Sequence, residues 1–203
     1  MSEFSIDPQK VGSAMQDTSS HLEDMRAKFD QMNQAISDAV NSHRSPNADE
    51  IRNEAHRIDE DLRDAHKGMI QATREVYEKG NALLQQVNRD PIAGEVNEAQ
   101  WPERDMTPPS EDEVIYGKGA LQCYEDAHDA ARAAGTAVEQ INQLFNTQLP
   151  LAFVGKAGES VVSTQKLIND KFTEAHNLMN SLLGDKAPEE INGVFDLDAR
   201  LGS

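Results

Sequence analysis

The sequence predicts an all-α protein in which two long antiparallel helical hairpins form an elongated four-helix bundle. Three observations predict this fold. Apolar residues recur at spacings of three and four along four long segments, proline-rich or turn-rich stretches separate these segments, and no convincing strand pattern interrupts them. Helices of this length, joined by short turns, bury their apolar stripes by packing side by side in opposite directions.

The first helix is predicted to begin at Asp7-Pro8, because an aspartate accepts hydrogen bonds from the first turn and proline needs no N–H partner there. One apolar stripe then continues for about eight turns. The stripe consists of Val11, Met15, Leu22, Met25, Phe29, Met32, Ile36 and Val40.

The second helix is predicted to begin near Ala48, after a turn-forming stretch that contains Pro46. Asn47, followed three residues later by Glu50, resembles a capping box. The expected stripe is Ile51, Ala55, Ile58, Leu62, Ala65, Met69, Ala72, Val76, Leu83 and Val87. Residues 5–89 are therefore predicted to form the first hairpin.

Residues 90–110 are predicted to be an acidic, proline-rich linker, because they lack a sustained apolar period. Trp101, which lies in this linker, is expected to pack on a helical face rather than to bind a ligand. A lone aromatic residue in a connection is usually a packing residue.

Residues 111–184 are predicted to form the second hairpin. A capping box at residues 110–113 precedes its first helix, Pro150 is expected to end that helix, and Gly184 is expected to end the next one. The stripes are Val114, Leu121, Tyr124, Ala131, Val138, Ile141 and Phe145, and then Ala157, Val161, Thr164, Ile168, Phe172, Ala175, Met179 and Leu182. Residues 185–203 are predicted to be a mobile tail. The two halves share this plan but show few identical residues in register.

The turn of the second hairpin carries Phe153, Gly155, Ala157 and Val161. It resembles the turn of the WXG-type (ESX-like) helical-hairpin proteins, which are exported by type VII secretion systems. That family usually has Trp-x-Gly, then a small residue two positions on and an apolar residue four positions beyond. The resemblance implies a fusion of two hairpins in one chain. It also implies that Phe153, Gly155 and Ala157 form a turn motif used in partner recognition.

The family's export signal, Tyr-x-x-x-Asp/Glu after the last helix, has no counterpart in this sequence. The resemblance instead places Val194, Phe195 and Leu197 where that signal would be. These tail residues are therefore expected to act through a protein partner.

The charge of the chain argues against several other functions. There are 19 basic and 36 acidic side chains, which give a net charge of −17. A binder of nucleic acid or of anionic membranes needs clustered cations, and none are present. No secretory signal peptide and no run of 18 apolar residues is found, so neither general export nor membrane insertion is expected. The expected location is outside the cell by a Sec-independent route, or the cytoplasm before export.

Catalysis and metal binding are also not expected. Glu125-x-x-His128 matches half of the di-metal signature of ferritin-like bundles, but no second Glu-x-x-His occurs. The charged residues lie off the apolar stripes, where nothing would shift their pKa values for acid–base work. We therefore expect no catalytic residues, no cofactor and no metal.

The sequence therefore predicts a non-enzymatic protein of a type VII secretion system that acts by protein–protein interaction. It would be either a secreted, effector-type or virulence-type substrate or a helical escort. The alternative is a cytosolic scaffold or regulatory bundle that is never exported. The sequence does not identify the partner, and it leaves open whether the chain forms a homodimer.

Overall fold

The computed structural model describes residues 4–98, 100–102 and 113–202. The predicted all-α helical bundle is confirmed, with 83% of the described residues helical. The helices are α1 (Pro8–Asp38), α2 (Pro46–Gln86), α3 (Lys118–Gln143), α4 (Leu149–Ala152), α5 (Lys156–Ser181) and α6 (Ala187–Leu201). Short strands also form, namely β1 (Ser5–Ile6), β2 (His43–Arg44), β3 (Ile115–Tyr116) and β4 (Phe153–Val154).

The chain divides into two compact units, and each unit combines segments of both hairpins. Unit 1 comprises Met1–Arg26, Arg63–Gln100 and Gly135–Thr173. Unit 2 comprises Ala27–Leu62, Trp101–Ala134 and Glu174–Ser203. The compact units therefore do not coincide with the hairpin ranges 5–89 and 111–184.

The apolar stripes of the first two helices form much of the core. In α1 the stripe from Val11 to Ile36 is at most 3% exposed, and in α2 the stripe from Ile51 to Val76 is at most 6% exposed. The end of the second stripe differs from the prediction. Leu84 is buried, whereas Leu83 is half-buried and Val87 is 56% exposed. The reason is that the core positions continue in steps of four from Val76 to Leu84.

The predicted helix starts are confirmed for α1 and shifted for α2. Asp7 Oδ1 accepts a hydrogen bond from the Lys10 N–H at 3.1 Å, as expected for a cap. The cap of α2 is Ser45 rather than Asn47, because Ser45 Oγ accepts the Ala48 N–H at 3.0 Å. The helix therefore starts at Pro46, where proline lacks only an N–H that would have no helical partner.

Pro150 and Gly184 do not end helices as predicted. A π-helical segment, Leu144–Gln148, joins α3 to α4, and Pro150 lies in the first turn of α4. A second π-helical segment, Leu182–Lys186, carries the chain through Gly184 into α6. A Cβ at Gly184 would lie 2.6 Å from His128 Cε1, so this glycine allows close packing within unit 2 rather than a C-cap.

The segment expected to be a mobile tail is helical, and this corrects the prediction for residues 185–203. Residues Ala187–Leu201 form α6, in which Ala187 and Ile191 are fully buried. The physical reason is the spacing of four that links Met179, Leu183, Ala187 and Ile191 into one buried stripe.

The described part of the linker packs on helices. In unit 1, Ile92 is 3% exposed and its N–H donates to Asn81 Oδ1 at 2.7 Å. In unit 2, Trp101 stacks on the fully buried Phe29 with ring centroids 5.3 Å apart, which confirms the expected packing role. The prolines at 108 and 109 and most of the capping box at 110–113 lie outside the described residues.

Candidate functional site: the two hairpin turns

The predicted turn motif forms the tip of the second hairpin in unit 1. Phe153 is 1% exposed, Ala157 is half-buried, and Gly155 has a φ of +120°, a conformation that side chains with a Cβ rarely adopt. A Cβ on Gly158 would overlap the carbonyl oxygen of Phe153. The structure therefore brings Phe153, Gly155 and Ala157 together in one tight turn in which two glycines are required.

A short strand at the start of the chain pairs with this turn. Ser5 lies opposite Val154, and Ile6 lies opposite Phe153. The Asp7 N–H then donates to the Ala152 carbonyl at 2.8 Å. The buried aromatic residue of the turn is thus held against the segment that precedes α1.

The first hairpin turn, in unit 2, repeats this arrangement. His43 lies opposite Tyr116, Arg44 lies opposite Ile115, and the Gly117 N–H donates to the Ser42 carbonyl at 2.7 Å. Each partner lies 110 residues from its counterpart in the other turn. His43-Arg44-Ser45 therefore occupies the place of Phe153-Val154-Gly155.

The same correspondence continues in the helix that follows each turn. His66 Nε2 lies 3.0 Å from the Leu22 carbonyl oxygen, and His176 Nε2 lies 2.8 Å from that of Ala131. A carbonyl can only accept, so each ring donates from Nε2. The two histidines are again 110 residues apart.

A second pair of polar contacts repeats in the same way. Asn33 donates to Asp59 Oδ1 at 2.9 Å, and Asn142 donates to Asn169 Oδ1. The two residues after the turns are 110 apart, whereas the two in the preceding helices are 109 apart. The hairpins are thus two versions of one structural unit, with a one-residue adjustment inside the first helix of each.

Two local features account for the adjustment. Near the start of α1 the Val11 N–H bonds to the carbonyl four residues back, whereas at the start of α3 the Ala120 N–H bonds to the carbonyl three residues back. The tighter turn removes one residue from α3. The π-helical segment Leu144–Gln148, at the place where the first hairpin has the 3₁₀ segment Ala39–Asn41, then restores it.

The first turn is chemically different from the second because its centre is polar and buried. His43 is fully buried, and its Nδ1 lies 3.1 Å from the hydroxyl of the fully buried Tyr124. The guanidinium of Arg52, only 1% exposed, donates to the His43 carbonyl at 3.0 Å and to Asp49 Oδ1 at 2.7 Å. We refer to His43, Arg52, Tyr124 and Tyr116 as the His43 cluster.

Burial determines the ionisation of this cluster. Desolvation, together with the nearby Arg52 charge, lowers the pKa of His43 to about 4. Desolvation also raises the pKa of the Tyr124 hydroxyl to about 12. Both side chains are therefore neutral at pH 7.

Helix α6 contacts the first turn through its first two turns. Glu190 Oε1 accepts hydrogen bonds from Asn47 at 2.5 Å and from the Tyr116 hydroxyl at 3.1 Å. Lys186 Nζ lies 2.6 Å from Glu54 Oε2. These contacts and the buried Ile191 hold the start of α6 on the first turn within unit 2.

The predicted tail residues lie further along α6. Val194 and Phe195 are half-buried, and Leu197 is 54% exposed. They belong to unit 2, whereas the turn motif at Phe153 belongs to unit 1. The structure therefore brings the members of each predicted set together but assigns the two sets to different units.

The Glu125-x-x-His128 motif has no metal-binding geometry in the structure. Glu125 is exposed, and the His128 ring packs on Gly184. Among the residues that the structure describes, no group of three or more histidine, cysteine or acidic side chains is arranged to hold a metal ion. Within the same part of the chain, no helix is long and apolar enough to cross a bilayer.

A cavity of about 560 Å³ lies in unit 1 between the linker and the helices. Its lining is mainly polar and includes Glu23, Arg26, Glu95 and Glu98. Pockets that bind small molecules are mostly apolar with a few polar groups, so this lining does not resemble a typical ligand site.

The sequence-based prediction missed the first turn because His43-Arg44-Ser45 does not match an aromatic-x-Gly pattern. A signal was nevertheless present. Ala65-His66 and Met69 recur as Ala175-His176 and Met179 at a spacing of 110 residues. Extending that spacing back along the chain places His43 on Phe153.

No family model matches the chain, and neither does any of the curated proteins or solved structures with which it was compared.

Proposed function

We propose that this chain is a non-enzymatic helical protein of a type VII secretion system, acting by protein–protein interaction as a secreted substrate or as an escort. The observation that carries the proposal is the Phe153-Val154-Gly155 turn, with its buried aromatic residue and left-handed glycine. That geometry is what the resemblance to the WXG-type hairpin proteins requires of the motif. The equivalent turn at His43 supports the idea of two fused hairpins.

The environment of the buried titratable groups supports a non-enzymatic role. His66 is bonded to a main-chain carbonyl, and His43 and Tyr124 are bonded to each other. Groups used in this way position the backbone and the core. A general acid or base instead has to reach a substrate proton.

The tail residues Val194, Phe195 and Leu197 are proposed to contact the export partner. They follow the last buried residue of α6, Ile191, and they lie beside the exposed acids Asp196 and Asp198. An apolar helical surface with acidic neighbours fits a partner groove that has an apolar floor and a basic rim.

The first test is to follow the protein in the culture medium and cytosol of its native bacterium, with and without the motor ATPase of the secretion system. A cytosolic enzyme serves as the control for lysis. The proposal predicts that the protein appears in the medium only when the motor is present. Retention in the cytosol in both strains would contradict export. It would favour the cytosolic scaffold, to which the missing Tyr-x-x-x-Asp/Glu pattern also points.

A second test separates the tail from the rest of the fold. The triple variant Val194→Ala, Phe195→Ala, Leu197→Ala is compared with a control on the exposed positions of the same helix, Asn192→Ala and Asp196→Asn. Circular dichroism establishes that both variants fold. The triple variant is expected to lose export while the control keeps it. Export of the triple variant at the wild-type level would rule out the tail as the contact.

A further inference from the structure

His43 is a buried imidazole at the place where the other hairpin has the benzene ring of Phe153. The neutral ring fits this place, because its Nδ1 faces the Tyr124 hydroxyl and the Arg52 guanidinium contacts its carbonyl. Its Nε2 is buried, and no described residue offers it a hydrogen bond. A protonated ring would thus place an N–H without an acceptor, and a second positive charge, beside Arg52.

We propose that the His43 cluster is an acid-sensitive latch, which holds α6 on the first hairpin turn near neutral pH and releases it when His43 becomes protonated. This latch is independent of the proposed secretion role. It requires only the contacts within unit 2.

The charged and titratable groups around His43 come from every element packed against it. They are Arg52 and Asp49 of α2, Tyr116 of β3, Tyr124 of α3 and Glu190 of α6. Asp49 and Glu190 favour a protonated ring, but desolvation and the charge of Arg52 oppose it more strongly. Asp49 is also already bonded to Arg52, which reduces what it can offer His43.

The direction of the pH effect follows from the lowered pKa. In the closed state His43 has a pKa of about 4, against an ordinary value of 6.5 in an opened chain. As the pH falls below about 6.5, the opened state binds a proton that the closed state does not bind. The opening equilibrium constant is then expected to rise about 20-fold between pH 7 and pH 5.

Opening the turn removes the partners of α6. Asn47 and Tyr116, which both donate to Glu190, lie within the turn and the strand that pairs with it. Without them, the buried Ala187 and Ile191 are the main remaining contacts of the first part of α6. The amides of α6 therefore report whether the latch is open.

The test is hydrogen exchange of α6 at pH 7 and pH 5 in the full-length protein and in the variant His43→Phe, which copies the residue at the equivalent position. Comparing the two proteins at the same pH cancels the intrinsic exchange rate, and His66 is present in both. Wild-type α6 is expected to gain about 20-fold in opening relative to the variant on going from pH 7 to pH 5. An equal gain in both proteins would overturn the proposal.

A second measurement does not depend on the variant folding. The ring proton signals of the six histidines are followed by NMR in the wild-type protein from pH 8 to pH 5. The closed-state His43 signal is expected to stay at its neutral position over this range. A His43 signal that titrates near pH 6.5 in the folded protein would contradict the latch.

Discussion

In unit 1 the hairpin turn is closed by Phe153 opposite Ile6, whereas in unit 2 the same two places are taken by His43 and Tyr116. The second helix of each hairpin differs in step with the turn. Gly80 lies beneath the side chains of Ile6 and Ile92, and its counterpart 110 residues later is Glu190, which accepts from Tyr116.

The comparison shows that polar residues replace apolar ones as a set in this fold. A buried tyrosine or histidine without a partner would cost about 1–3 kcal/mol, so each polar substitution requires another. Glu190 serves Tyr116, while Tyr124 and Arg52 serve His43. One backbone arrangement therefore accommodates both a simple apolar closure and a hydrogen-bonded closure.

The largest effect is expected from exchanging the small residues beside the two turns. Gly158→Ala should destabilise the protein by about 3 kcal/mol, because the new Cβ would overlap the Phe153 carbonyl oxygen. The matched change in the first turn, Ala48→Gly, should cost only about 1 kcal/mol, from the greater freedom of glycine in a helix. Urea unfolding of both variants measures the difference. Equal costs would mean that the second turn is not the tighter one.

An intermediate effect is expected at the two equivalent histidines. His66→Ala should cost about 2 kcal/mol and His176→Ala about 1 kcal/mol, because His66 is fully buried and His176 is half-buried. Thermal unfolding of the two single variants compares them directly. A larger loss at His176 would contradict the ranking by burial.

The smallest effect is expected at the position that carries Gly80 in one hairpin and Glu190 in the other. Glu190→Ala should cost about 1 kcal/mol, since it removes the acceptor for Asn47 and Tyr116. Gly80→Ala should change stability by less than about 1 kcal/mol. Its Cβ would meet only the movable end of the Ile92 side chain, at 2.5 Å. Tryptophan fluorescence during urea unfolding measures the first variant, because Trp101 stacks on Phe29 in the same unit as Glu190.

The helices could be predicted from the sequence because the stripes from Val11 to Ile36 and from Ile51 to Val76 are long and regular. The end of the chain was less predictable. Pro188 and Gly184 are strong breaker signals, and the pattern that overrides them extends only from Met179 to Ile191. A glycine needed for a close approach to His128 has the same sequence appearance as a C-cap glycine.

The turn motif at Phe153 was predictable because glycine and an aromatic residue have specific roles in a tight turn. The His43 cluster was not predictable in this way. Its members, His43, Arg52, Tyr116 and Tyr124, come from four separate elements, and only the fold brings them together. Spacing within a single helix carries no information about such contacts.

The central claim of this account is that two equivalent strand pairs hold the two turns in the same register. Disulfide trapping tests it most directly in a Cys123→Ser background. One pair of substitutions is Ser5→Cys with Val154→Cys, and its equivalent is Ile115→Cys with Arg44→Cys. The register-shifted controls replace Ser5 by Phe4 and Ile115 by Val114, which are both exposed.

The account predicts that both matched pairs cross-link efficiently under mild oxidation and that both shifted controls cross-link poorly. Neighbouring side chains on a strand point to opposite faces, so a shift of one residue separates the sulfur atoms. A matched pair that fails in one turn, or a control that reacts as well as its matched pair, would contradict the equivalence of the two turns.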